Sequence, residues 1–111
     1  MPKPLDEARI RREFSACVNM SADELEAWLA TPESRRVGFK RDGGESVGHA
    51  SGRRILAMLR APADESDEAD LAFMCKVVGF VRRHRAQEPA NIVTSRWRYS
   101  LMNWGHDPLK H

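Results

Sequence analysis

The chain has 111 residues, a formal net charge of +2 and 41% hydrophobic residues, which bounds it to one domain able to bury a core unaided. No segment approaches the ~20 consecutive apolar residues that cross a bilayer, and the opening MPKPLDEAR lacks the apolar run of a secretory signal. The protein is therefore expected to be cytoplasmic, away from membranes, with Cys17 and Cys75 as buried reduced thiols on apolar helix faces.

In chain order, residues 4–18 read as a first helix, because Ile10, Phe14 and Val18 recur at i, i+4 and i+8. Arg9, Arg11, Arg12 and Glu13 fall on its other side, as a solvated face. Ser21-Ala22-Asp23-Glu24 spells a capping box, and the helix it opens, near 22–30, carries Leu25, Trp28 and Leu29. Thr31 and Pro32 suit the N-cap and first position of a short helix running to about Val37 and ended by Gly38. Residues 40–45, KRDGGE, read as a loop; neither flank alternates with period two, so a hairpin is not expected. Ser46 is the expected cap of a helix over 47–60. Its second half, Ile55, Leu56, Met58 and Leu59, is core-like. Its first half holds Gly48 and Gly52, each costing about 1 kcal/mol against alanine. The bare strip they leave fits close packing on another helix, or the approach of a ligand phosphate beside Arg53 or Arg54.

Pro62 breaks the chain, and Ser66 can cap the next helix, expected over 67–87. This segment contains the longest apolar run, DLAFMCKVVGFVRRHR at 70–85. At ~100° per residue, Leu71, Met74, Cys75, Val78 and Val81 share one face, and Phe73, Val77 and Phe80 widen it. Ala72, Lys76, Gly79 and Arg83 leave a narrow stripe for water. A helix apolar over so much of its surface needs other helices around it. Pro89 ends it, and Thr94 or Ser95 starts a last helix over 95–103. There Trp97, Leu101 and Trp104, at i, i+4 and i+7, are expected to fold back on the core. Arg96 and Arg98 lie off that stripe and are expected to be dispensable for folding. Gly105 is a natural C-terminal cap, and Asp107 can bond backbone in the turn 106–108. The expected fold is all-α, a single compact domain over 1–111 with about five helices around the central one and no β-sheet.

The charges are unevenly placed. Residues 64–70, DESDEAD, carry five acids and no base, whereas Lys76, Arg82, Arg83, Arg85, Arg96 and Arg98 face only Glu88 between 76 and 98. This predicts one basic face. Part of the asymmetry is structural, since acids at the start and arginines at the end of one helix complement its dipole.

Several segments carry a resemblance: Val18-Asn19-Met20, Glu24-Leu25, Trp28-Leu29, Ser46-Val47-Gly48-His49, Ser51-Gly52-Arg53-Arg54-Ile55, Lys76-Val77-Val78, Arg83-His84 and, most specifically, the run WRYSLMNWGHDP from Trp97 to Pro108. Together they resemble a group of small bacterial and fungal proteins of uncharacterised function, often labelled DNA-binding. The likeness covers nearly the whole chain. It implies a nucleic-acid partner and supplies no catalytic residue.

His49, His84, His106, Cys17 and Cys75 show no zinc spacing, and His106-Asp107 fits a turn better than a ligand pair. Ser51 lies two residues from His49, and such residues do not face each other on a helix. No metal, cofactor or enzymatic activity is expected. A helix-turn-helix is not spelled, because the loop between 38 and 46 exceeds the usual short turn. The expected function is a nucleic-acid-binding module, for DNA before RNA. Phosphates would be contacted by Arg53, Arg54, Arg82, Arg83, Arg96 and Arg98, and bases or sugars by His49 and Tyr99. The alternative is a non-enzymatic protein-interaction or homo-oligomerisation domain, using the Gly48–Gly52 strip or exposed C-terminal aromatics.

Overall fold

Each helix starts where the sequence offers a small side-chain oxygen. Asp6, Ser21, Thr31, Ser46, Asp67 and Ser95 accept from the backbone N–H three residues on, satisfying one of the four donors that every helix start leaves orphaned. The computed structural model describes residues 6–38, 40, 44–61 and 67–110. Its helices are α1 (Glu7–Cys17), α2 (Ala22–Leu29), α3 (Pro32–Arg36), α4 (Val47–Arg60), α5 (Glu68–Arg85) and α6 (Arg96–Asn103), with no strand among the described residues. The fold is all-α, as expected, in one globule. Leu5, Arg41, Asp42, Gly43, Pro62 and Ser66 lie outside the described residues; the cap of α5 is Asp67, which forms a capping box with Asp70.

Most of the apolar stripes end up buried where the spacing put them. Ile10, Phe14 and Val18 of the first segment, Leu25 and Leu29 of α2, Ile55 of α4, and Leu71, Phe73, Met74, Val77, Val78 and Val81 of α5 join one core with Trp97, Leu101 and Trp104. Three expectations fail in detail. Leu59, read as core-like, is exposed on the last turn of α4, and Leu56 and Met58 are half-buried. Cys75 is exposed and Cys17 half-buried, where both were expected buried. The buried arc of α5 runs from Phe73 through Val77 to Leu71, and Cys75 falls about 40° beyond Leu71, beside Arg82 on the wet side. Nor do all helices surround α5. It packs along α1 and touches α6, while α2 packs on α4.

The element that meets most others is the short α6, which contacts α2, α3, α4 and α5. Its C-terminus closes as a Schellman motif. The Gly105 N–H donates to Met102 O at 2.9 Å and the His106 N–H to Leu101 O at 3.0 Å. Gly105 takes φ +78°, a conformation that L side chains avoid, and a methyl there would also sit 2.9 Å from Val18 Cγ1. Asn103, fully buried on α6, ties three helices. Its Oδ1 accepts from Trp28 Nε1 at 2.7 Å and from the Ser34 hydroxyl, and its Nδ2 donates to Ser34 O at 3.0 Å. Beyond α6, Asn19 and Asp107 exchange two bonds of 2.9 and 2.8 Å, and His106 Nδ1 donates to Cys17 O. The same tail therefore fastens the end of α1.

Candidate nucleic-acid interface

The residues expected to meet nucleic acid divide by whether the fold already uses them. Arg53 holds Glu45 through two bonds, Nε to Oε2 at 2.7 Å and Nη2 to Oε1. Glu45 also meets His49 Nδ1, while His49 Nε2 lies 2.8 Å from Leu29 O. The carboxyl of Glu45 is held down at about 2, chiefly by the Arg53 bond, against burial and with help from His49. His49 is thus a buried tie between α2 and the start of α4, with both ring nitrogens occupied.

Arg54 bonds Asp70 at 3.1 Å and lies 4.3 Å from the Phe73 ring centre. Arg98 is mostly buried and grips Asp107 through both carboxylate oxygens, at 3.1 and 3.0 Å, while donating to Val93 O at 2.8 Å. Burial alone would raise Asp107, but the Arg98 bonds outweigh it and hold the carboxyl below its ordinary value. Arg98 therefore locks the turn after α6, and the expectation that the fold does without it is corrected. Its place off the tryptophan stripe puts it over the returning tail, not in solvent.

The remaining expected residues are freer. Arg82 reaches Glu13 only at 3.7 Å and stays exposed. Arg83 and Arg96 are exposed and have no carboxylate within ion-pair distance among the described residues. Tyr99 packs its ring 5.2 Å from Trp28 and borders a shallow hollow with Arg36 and Arg96.

Arg83 leads to a concavity that the sequence reading passed over. The start of α4, one side of α5 and the end of α6 enclose a groove of about 460 Å³, bordered by Gly48, Lys76, Phe80, Arg83, His84 and Trp104. Lys76 is exposed and likewise has no carboxylate partner among the described residues. Phe80 stacks on Trp104 at 4.4 Å and on His84 at 5.0 Å, giving one wall of near-parallel rings. Burial lowers the His84 pKa, although a hydrogen bond from its ring to the Trp97 backbone pulls the other way, and its Nε2 is buried without a hydrogen-bond partner among the described residues. The indole N–H groups of Trp28 and Trp97 both bond protein oxygens. That of Trp104 bonds none among the described residues, although Trp104 is only 5% exposed.

The two small-residue positions on α4 have different neighbours. At Gly52 a methyl would overlap the Asn103 carbonyl oxygen and come within 2.7 Å of Leu29 Cδ2, so Gly52 permits close packing of α4 on α6 and α2. At Gly48 it would come 3.1 Å from Trp104 Nε1, at the floor of the groove. The strip packs on α6, and its Gly48 end also opens onto the groove. The signals for this site were present as the water-facing stripe Ala72, Lys76, Gly79 and Arg83, and as a lone glycine inside a helix.

A family model described as Protein of unknown function (DUF3140) matches residues 13–102. The chain belongs to this family. The matched span holds all six groove residues named above except Trp104. No curated protein and no solved structure matches the chain. Among the described residues, no three His, Cys, Asp or Glu side chains gather to hold a metal ion, and no helix is long and apolar enough to cross a membrane.

Proposed function

We propose that this protein binds nucleic acid, without catalysis and without strong sequence preference, through the basic surface around the α4–α5–α6 groove. The observation that carries this reading is that Lys76, Arg83 and Arg96 have no acid within ion-pair distance among the described residues, while Arg53, Arg54 and Arg98 are neutralised inside the fold. A cation that completes no internal pair is available to a phosphate and releases condensed counterions when it binds one. Arg36 joins them beside Arg96, 69% exposed and held by Glu33 only at 3.5 Å. Arg82 points towards Glu13 of α1 and does not border the groove, so the phosphate-contacting set is then Arg36, Lys76, Arg83 and Arg96.

If these four each meet a phosphate, log K falls with log salt at a slope near −3.6 on duplex DNA and about −2.8 on a single strand. Changing Lys76 and Arg83 together to glutamine should weaken binding to every sequence alike and flatten the duplex slope by about 1.8. Arg53→Gln should leave the slope where it is. A flat titration at about 50 mM salt, where such contacts are strongest, would remove the nucleic-acid reading for a folded sample. The homo-oligomer would then be the better account. Its exposed large hydrophobics among the described residues are Leu59, Val93 and Leu109, drawn from the end of α4, the approach to α6 and the C-terminal turn.

A further inference from the structure

We propose that the groove between α4, α5 and α6 takes one unpaired base of a single strand, with Lys76 and Arg83 holding its phosphates and the Trp104 indole N–H donating to the base. This rests on the nucleic-acid reading above and narrows it from a charged surface to a pocket. Charge complementarity defines the outer part of the occupant. Two unpaired cations stand on the rim, seven residues apart on one stripe of α5. Arg83 leans back along the helix, because a methyl at Gly79 would meet its Nη1 at 3.0 Å and no other side chain but Arg83's. The guanidinium therefore lies over Gly79, roughly one turn from Lys76, near enough for both to meet adjacent phosphates.

Gly79 needs an explanation of its own. A glycine inside a helix costs about 1 kcal/mol against alanine. Gly52 has a packing reason for that cost, and Gly79 has none except the seat it gives Arg83. Gly48, on the opposite wall, keeps a side chain away from the unpartnered Trp104 N–H. The rings of Trp104, Phe80, His84 and Trp97 stack on one another in turn, so Phe80 and His84 meet the groove by their edges. The inner part of the occupant must then be apolar enough to lie against those edges, and must carry a hydrogen-bond acceptor for Trp104. A base joined to phosphate has this chemistry, and about 460 Å³ falls within the size range of small-ligand pockets. A duplex fits the site poorly, because paired bases show only their edges, deep in grooves that a protruding element must enter. Here the cations border a hollow.

The test uses the native protein with a labelled oligothymidylate of about ten nucleotides, an abasic strand of equal length and a duplex. Fluorescence anisotropy reads affinity, and the indole region of a ¹⁵N–¹H spectrum reads Trp104, whose N–H is the one of three without a protein acceptor among the described residues. The expected result is roughly tenfold tighter binding to the base-bearing strand than to the abasic one, about the worth of the hydrogen bond from Trp104 that the abasic strand cannot accept. The Trp104 indole resonance should move with the first strand and stay with the second. Ser100→Leu, which plugs the groove from α6, should bring the two strands to equal affinity, and Gly48→Ala should reduce the difference. Gly79→Ala should raise the melting temperature while weakening binding to both strands, a combination that a purely structural Gly79 does not give. Equal affinity for both strands in the native protein, with no movement of the Trp104 resonance, would overturn the base pocket and leave the charged surface standing. Absence of binding to all three would overturn both readings. Free thymidine 5′-monophosphate binding as tightly as the strand would overturn the strand as occupant.

Discussion

Alanine at Gly52 and alanine at Gly79 form a matched pair whose difference isolates a single close approach. Both glycines sit inside helices, so each substitution gains up to about 1 kcal/mol of helix propensity. At Gly79 the new methyl meets only the flexible end of Arg83, and the gain should survive as about 0.5–1 kcal/mol. At Gly52 it overlaps the carbonyl oxygen of Asn103 and approaches Leu29 Cδ2 to 2.7 Å. Asn103 cannot retreat, since its side chain is bonded to Trp28 and Ser34 and its helix end is closed by Gly105. Overpacking a tight site costs about 1–3 kcal/mol, and rigid backbone at the contact puts this one at the upper end. The net effect at Gly52 is a loss near 2 kcal/mol. With an unfolding entropy of about 2.1 cal/mol/K per residue over 111 residues, 1 kcal/mol corresponds to roughly 4 °C in melting temperature. Thermal unfolding followed by circular dichroism should show Gly52→Ala about 8 °C below the native protein and Gly79→Ala about 2–4 °C above it. Equal midpoints for the two variants, or a stabilised Gly52→Ala, would show that α4 does not pack on the end of α6 at backbone distance.

Other perturbations test the polar fastenings. Arg98→Ala should cost about 2–3 kcal/mol in urea unfolding, because it leaves the mostly buried Asp107 without its two charged bonds; a neutral result would return Arg98 to the surface set. Asn103→Ala strands the Trp28 indole N–H and the Ser34 hydroxyl, and should cost about 3 kcal/mol or more, measured by the same denaturation. For Glu45 the folded pKa, about 2, lies below its ordinary value, so the unfolded chain binds the extra proton. Its stabilisation is complete above that ordinary value and is lost as pH falls towards 2. Denaturation at a series of acid pH values should show a smaller loss across that window for Glu45→Gln than for the native protein.

The fold was legible where one local rule decided the outcome. Ser21 and Glu24 spelled their capping box, Thr31-Pro32 their helix start and Gly105 its cap. Trp97, Leu101 and Trp104 followed a period that no strand shares, and Trp97 and Trp104 are buried as that period required. The arrangement of helices was less legible, because hydrophobicity ranks helices by how much they bury and not by how many partners they touch. α5 has the longest apolar run, yet the eight-residue α6 meets more elements. A short helix set between others can be approached from several sides, as α6 is by α2, α3, α4 and α5. Its one fully buried polar residue, Asn103, gave no sign in sequence that Ser34 and Trp28, 69 and 75 residues away, would bond it.

The arginines show why charge counted along a chain is a weak guide to a site. Arg53, Arg54, Arg82, Arg83, Arg96 and Arg98 look alike in sequence, and the fold separates them by partners that lie elsewhere. Glu45 takes Arg53, Asp70 takes Arg54 and Asp107 takes Arg98, from positions up to sixteen residues away. What remains unpaired is decided by those subtractions. Lys76 gained importance through them, since no acid among the described residues lies within ion-pair distance of it. Trp97 to Pro108 is the most distinctive run in the chain, and most of it is committed to holding the tail on α1, α2 and α3. Trp104 stands apart within that run, with its ring in the core and its N–H unanswered at the groove. The groove is therefore marked less by the loudest stretch of sequence than by two quiet positions, Gly48 and Gly79. At both, a side chain would improve the helix. One would stand over that N–H and the other would displace Arg83.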